Sequence, residues 1–89
     1  MVQSMVFSQK VDFILIQETK WKQVHERLIR QIWGSDNFNW AAVESEGCSG
    51  GLLCIWNPDI FSTSQIIKYR NFMCIKGSVN SIQCVIVNI

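Results

Sequence analysis

Apolar positions recur with two different periods along this chain, and the change of period divides it. Over residues 1–9, Val2, Met5, Val6 and Gln9 fall at helical spacing, which predicts the tail of a helix with no capping residue ahead of it. Val11-Asp12-Phe13-Ile14-Leu15-Ile16 is a nearly continuous apolar run between polar residues, the pattern of a strand buried on both faces. Gln17-Glu18-Thr19 closes it. Thr19 is placed to cap a helix over 20–33, in which Trp21, Val24, Leu28 and Ile32 share one stripe. Gly34 stands where a left-handed residue would stop that helix.

From residue 40 onward the period becomes that of strands. Strands are predicted over 40–43, 52–56, 60–67, 72–76 and 82–89, with a glycine-containing connection over 44–51. Asn57-Pro58-Asp59 reads as a turn, because proline presets φ and aspartate suits the next position. Tyr69-Arg70-Asn71 and Asn80-Ser81 are the expected reversals. The order is helix, strand, helix and then five strands, an α+β arrangement in a single domain. The last run, 85–89, ends in mid-strand, so both ends of the chain read as cut.

Composition narrows the class. Apolar residues make up 48% of the 89 positions and charged residues 17%, with a net charge of +1, which excludes a disordered chain or a charged tail. No apolar run approaches the ~18 residues of a membrane span, and no basic and then apolar leader follows Met1. These features predict a nuclear or cytoplasmic protein with no membrane partner. A chain of this length buries about 60–65% of its unfolded surface. Four tryptophans and five phenylalanines are a heavy apolar load for it, so exposed apolar surface and self-association through open sheet edges are expected. The four cysteines form no C-x-x-C pair and the single histidine, His25, is far from all of them, so zinc-finger spacing is absent. Three of the four lie within apolar strand-like runs, where free cysteine reads as a small core residue.

Glu18 is the first candidate for chemistry. It stands at the carboxyl end of a buried strand, where layered folds usually build their sites. A lone carboxylate with open neighbours suits Mg²⁺, which takes oxygen ligands and keeps several waters. An acidic residue near a helix N-terminus is also favoured by the dipole without any metal, and position alone favours that plainer account.

Asp12-Phe13-Ile14-Leu15-Ile16-Gln17-Glu18-Thr19-Lys20 resembles the D-hydrophobic-Q-E-T segment of the endonuclease/exonuclease/phosphatase superfamily. It is most similar to the endonuclease domain of plant non-LTR (LINE-type) retroelement proteins. The resemblance continues through Ile32-Trp33-Gly34 and Ser49-Gly50-Gly51-Leu52-Leu53-Cys54-Ile55-Trp56, and ends in Cys84-Val85-Ile86-Val87-Asn88-Ile89. It implies a partial two-layer β-sandwich flanked by helices, with Glu18 matching the glutamate that holds a catalytic Mg²⁺ or Mn²⁺. The implied chemistry is metal-assisted phosphoric-ester hydrolysis, with DNA as a partner. The metal would polarise the phosphoryl group while a histidine-aspartate pair and a further aspartate orient the attacking water.

The chain departs from that pattern in several places. The family's asparagine-bearing first strand would precede Met1, and its tyrosine and proline would follow Ile89. The G-D-F-N-like and S-D-H-like segments, which supply the general base, have no counterpart. His25 lies on the expected helix between Val24 and Glu26 and reads as a surface residue, not a substitute base. One metal ligand without a base does not make a hydrolase, so a catalytically incomplete domain is expected.

Other features carry less. Gly47-Cys48-Ser49-Gly50-Gly51 precedes a strand and lacks the Gly-Lys-Ser/Thr ending, so it is not a P-loop; small residues there permit a tight turn. Lys20 and Lys22, with Arg27 and Arg30, give the expected helix a basic character, and Lys68-Tyr69-Arg70 adds a second cluster. Such groups beside an aromatic suit a nucleic-acid backbone, and solvated faces account for them equally well. Two other functional classes stay open: a small protein or nucleic-acid interaction module, and a remnant with no function.

Overall fold

The computed structural model describes residues 12–89. The helix expected over 1–9 lies outside them, as does Val11. Seven elements follow in order: β1 (Phe13–Gln17), α1 (Glu26–Trp33), β2 (Asn39–Val43), β3 (Leu52–Trp56), β4 (Ser62–Lys68), β5 (Met73–Val79) and β6 (Ile82–Asn88). They form two antiparallel three-stranded sheets, ordered β1-β3-β2 and β4-β5-β6, with one short helix.

β3 is the centre of the first sheet and every one of its residues is buried. Its alternation feeds two cores. Leu52, Cys54 and Trp56 pack with Ala41, Phe61, Met73 and Ile75 between the sheets. Leu53 and Ile55 pack with Ile14, Ile16, Ala42 and Ile29 beneath α1. The result is three layers, helix on sheet on sheet. At one end of the inter-sheet core, Phe13 stacks on Trp56 at 5.5 Å between ring centres, and Phe61 meets both edge-on.

Two sequence expectations are corrected. The run over 11–16 is not buried on both faces: β1 is an edge strand, with Ile14 and Ile16 buried and Leu15 exposed. The helix does not start at residue 20. Thr19 is buried, and its Oγ1 accepts the Trp21 N–H at 3.3 Å while its own N–H goes to the Gly51 carbonyl. The segment that follows is extended or irregular up to His25, which takes the N-cap position. Trp21 and Val24 still pack on the helix-side core, but from this segment rather than from a helical stripe, and the helix itself buries Ile29. Gly34 ends α1 as expected, with φ 92° and its N–H bonded to the Arg30 carbonyl.

The strand half follows the sequence pattern closely. Asn80 and Ser81 both have positive φ, as a two-residue turn matched to strand twist requires, and they join β5 to β6 in unbroken register. Arg70 and Asn71 turn the chain between β4 and β5, closed by the Tyr69 N–H to the Phe72 carbonyl and by stacking of their rings at 4.5 Å. A bulge interrupts β4 between Thr63 and Gln65.

Candidate functional site

Glu18 is exposed and sits one residue beyond β1. Its backbone is left-handed, with φ 54°, and Lys20 repeats this at 62°. A non-glycine residue rarely adopts that conformation unless its surroundings enforce it, and such residues gather at functional sites. Here the enforcement is visible. The N–H groups of Thr19 and Lys20 donate to the carbonyls of Gly51 and Gly50 at 3.2 and 2.9 Å. The Gln17-Glu18-Thr19-Lys20 turn is thereby strapped to the Ser49-Gly50-Gly51-Leu52 segment. Glycine at 51 is required twice over: its φ is +97°, and a Cβ there would lie 2.1 Å from the Thr19 hydroxyl.

The strap borders an open cleft of about 590 Å³. Glu18, Glu44, Glu46, Ser49, Arg70 and Asn71 are among the residues that line it. Two of its carboxylates are already engaged. Glu44 accepts the Val24 N–H at 3.1 Å, and Glu46 pairs with Arg70 at 2.6 Å. Glu18 has no such partner among the described residues. No group of three or more His, Cys, Asp or Glu able to hold a metal ion occurs among them either. A hydrated Mg²⁺ accepts one carboxylate and several waters, so Glu18 fits as one ligand, but the described residues offer no coordination set around it.

A second cleft, of about 530 Å³, adjoins the first and shares Glu44, Glu46 and Arg70 with it. Lys68, Tyr69 and Trp40 also line it. The structure therefore brings Lys68 and Arg70 together beside aromatic rings, while Lys20 and Lys22 are exposed and line neither cleft. Arg70 is partly neutralised by Glu46. On α1, Arg30 is held by Glu26 and Asp36, which leaves it less free for a phosphate.

Sequence reasoning missed Glu44 and Glu46 as neighbours of Glu18, and no local signal marks them. It also missed what Asn88 does. Asn88 is fully buried, and its amide nitrogen donates to the carbonyls of Ile16 and Leu53 at 3.2 and 3.1 Å. It also reaches Cys54 Sγ at 3.5 Å. Burial pushes the Cys54 thiol up to about 11, opposed in part by this contact, so the group stays neutral and unreactive at physiological pH. His25 is exposed at the N-cap of α1 and lines neither cleft.

Comparison with protein-family models, curated proteins and solved structures gave no match for this chain.

Proposed function

We propose that the chain is part of a divalent-metal-dependent phosphodiesterase domain of the endonuclease/exonuclease/phosphatase class, of the plant retroelement type. Its substrate class is DNA, and Glu18 is the Mg²⁺ or Mn²⁺ ligand that it contributes. By itself it does not hydrolyse. The observation that carries this reading is the strapped turn: the Q-E-T-K segment, with Glu18 exposed and left-handed, is bonded to the S-G-G-L segment at the rim of a cleft. Those are two of the segments on which the resemblance rests. The arrangement of two antiparallel sheets with a helix on one outer face is also what a portion of such a fold requires. Lys68 and Arg70 line one cleft with Tyr69 and Trp40, and basic groups beside aromatic rings support a phosphate-backbone contact.

Mn²⁺ titration followed by paramagnetic broadening of amide signals tests this directly. Broadening is expected at residues 17–20 and 50–51, weak in affinity and abolished by Glu18→Gln. Plasmid nicking by the unmodified chain is expected to stay at background. Broadening elsewhere, or broadening that survives Glu18→Gln, would remove the metal-ligand role. Glu18-dependent nicking by this chain alone would show that the site is more complete than proposed.

A further inference from the structure

Where an arginine beside a candidate phosphate contact already holds a carboxylate, the geometry of that pair decides whether a phosphodiester can share the guanidinium. Glu46 and Arg70 line both clefts, together with Glu44, and so stand where the two adjoin. Each is carried by a tight reversal. Glu46 opens a two-residue turn between β2 and β3: its N–H and carbonyl exchange hydrogen bonds with those of Ser49 at 3.1 and 3.2 Å, and Gly47 takes φ 61°. Arg70 lies between β4 and β5, in the reversal closed by the stacked rings of Tyr69 and Phe72.

Both carboxylate oxygens of Glu46 lie on one nitrogen of Arg70, Nη2, at 2.6 and 2.9 Å. A guanidinium has two edges that can give a phosphate two parallel hydrogen bonds, Nε with Nη2 and Nη1 with Nη2, and Nη2 belongs to both. By holding that atom, Glu46 blocks each two-point contact. The two side chains are 80% and 57% exposed, so water and salt screen the pair and it is held weakly. Lys68 lines the same cleft and has no carboxylate partner among the described residues.

We propose that Glu46 is an internal stand-in for a DNA phosphate, a role that rests on the DNA contact proposed above. In the free protein its carboxylate occupies Nη2 of Arg70. A phosphodiester displaces it, taking Arg70 by a two-point fork with Lys68 beside it. The exchange trades one charge-assisted pair for another, so a single anion on Arg70 gains little. A strand that offers successive phosphates to Arg70 and Lys68 gains a second contact and repays the loss of the pair. Because Ser49 locks the backbone of Glu46, the carboxylate swings aside from a fixed turn. Its release also removes the side-chain bridge between the β2–β3 connection and the β4–β5 reversal, where the two clefts adjoin. Glu46 therefore selects for a phosphodiester strand over an isolated anion and keeps the free-state contact closed.

Fluorescence anisotropy of a short labelled DNA duplex, measured in EDTA, reads this exchange without metal and without Glu18. Glu46→Gln should bind the duplex about three- to fivefold more tightly than the unmodified chain, which is what an exposed ion pair withholds. Asp12→Asn makes the same change of charge at an exposed position that lines neither cleft, and should gain clearly less. Arg70→Gln should weaken binding, and Glu46→Gln added to it should restore nothing. In the unmodified chain, the carboxyl carbon signal of Glu46 should shift as DNA is added, which decides the matter should a variant fail to fold. A gain no larger than that of Asp12→Asn overturns the proposal, as does a gain that survives Arg70→Gln or a Glu46 signal that stays put in the DNA complex. Those results remove the role of Glu46 and leave the DNA contact standing. Absence of DNA binding by every variant overturns both, and the Mn²⁺ experiment on Glu18 is independent of either.

Discussion

The side-chain amide of Asn88 ties the end of β6 to two strands of the other sheet through the carbonyls of Ile16 and Leu53. It is wholly buried, and its Oδ1 has no partner among the described residues, so the donor half of the amide carries the interaction. Asn88→Ala removes both hydrogen bonds and leaves a small void, and should cost about 1–3 kcal/mol in urea denaturation at neutral pH. Asn88→Asp should cost more, because a carboxylate has no proton to give and faces two carbonyl oxygens. Burial raises the folded pKa of that aspartate above its unfolded value. Its deficit should therefore shrink as pH falls and the carboxyl regains a proton to donate, which urea midpoints at several pH values will show. An equal deficit at low and neutral pH would mean that shape, not hydrogen bonding, holds the position. Part of this was readable: in the run from Cys84, alternation puts Asn88 on the same face as Cys84 and Ile86. Its partners were not, since Ile16 is 72 residues away and Leu53 is 35.

At the scale of elements, strands and reversals were legible because their signals are local. Asn80-Ser81, Asn57-Pro58-Asp59 and the apolar runs each contain what they need. The start of α1 was not legible because Thr19 has two competing uses. As a cap it would have begun a helix at residue 20, but its amide and that of Lys20 bond instead to Gly51 and Gly50, and the hydroxyl turns to Trp21. Tertiary partners outweigh a capping preference of about 1 kcal/mol. The consequence is a short helix whose N-cap, His25, makes no side-chain capping bond. His25→Asp should supply one and add a second favourable charge to the first turn, beside Glu26. A gain of about 0.5–1 kcal/mol in thermal or urea unfolding is expected, with slower amide exchange in the first turn of α1. No gain would mean that the extended backbone at His25 is fixed by its neighbours in a geometry unsuited to capping. The same competition bears on the site. The position of Glu18 at a strand end could be read from sequence, but the strap that holds it left-handed joins segments some 30 residues apart and could not.

For the molecule as a whole, the deciding fact is that one strand serves both cores. The runs over 11–16 and 52–56 look alike in sequence, yet β3 is central and wholly buried while β1 is an edge, and local pattern cannot tell which strand receives two neighbours. Leu53 and Ile55 face the helix while Cys54 and Trp56 face the second sheet, so neither layer can leave without exposing β3. Ile29 on α1 and Ile75 on β5 are both fully buried, in different cores. Replacing either by alanine should cost about 2–5 kcal/mol, a large share of the stability of a small domain. Because the cores share β3, each substitution should lower the opening free energy of α1 and β5 amides by the same amount in native-state hydrogen exchange. If Ile29→Ala released α1 and left β5 protected, the helix would be a separately melting layer, and β3 would then be stabilised mainly by the second sheet. Equal losses in both places would identify β3 as the strand through which the Glu18 strap, one residue from its start at Leu52, is held as firmly as the core itself.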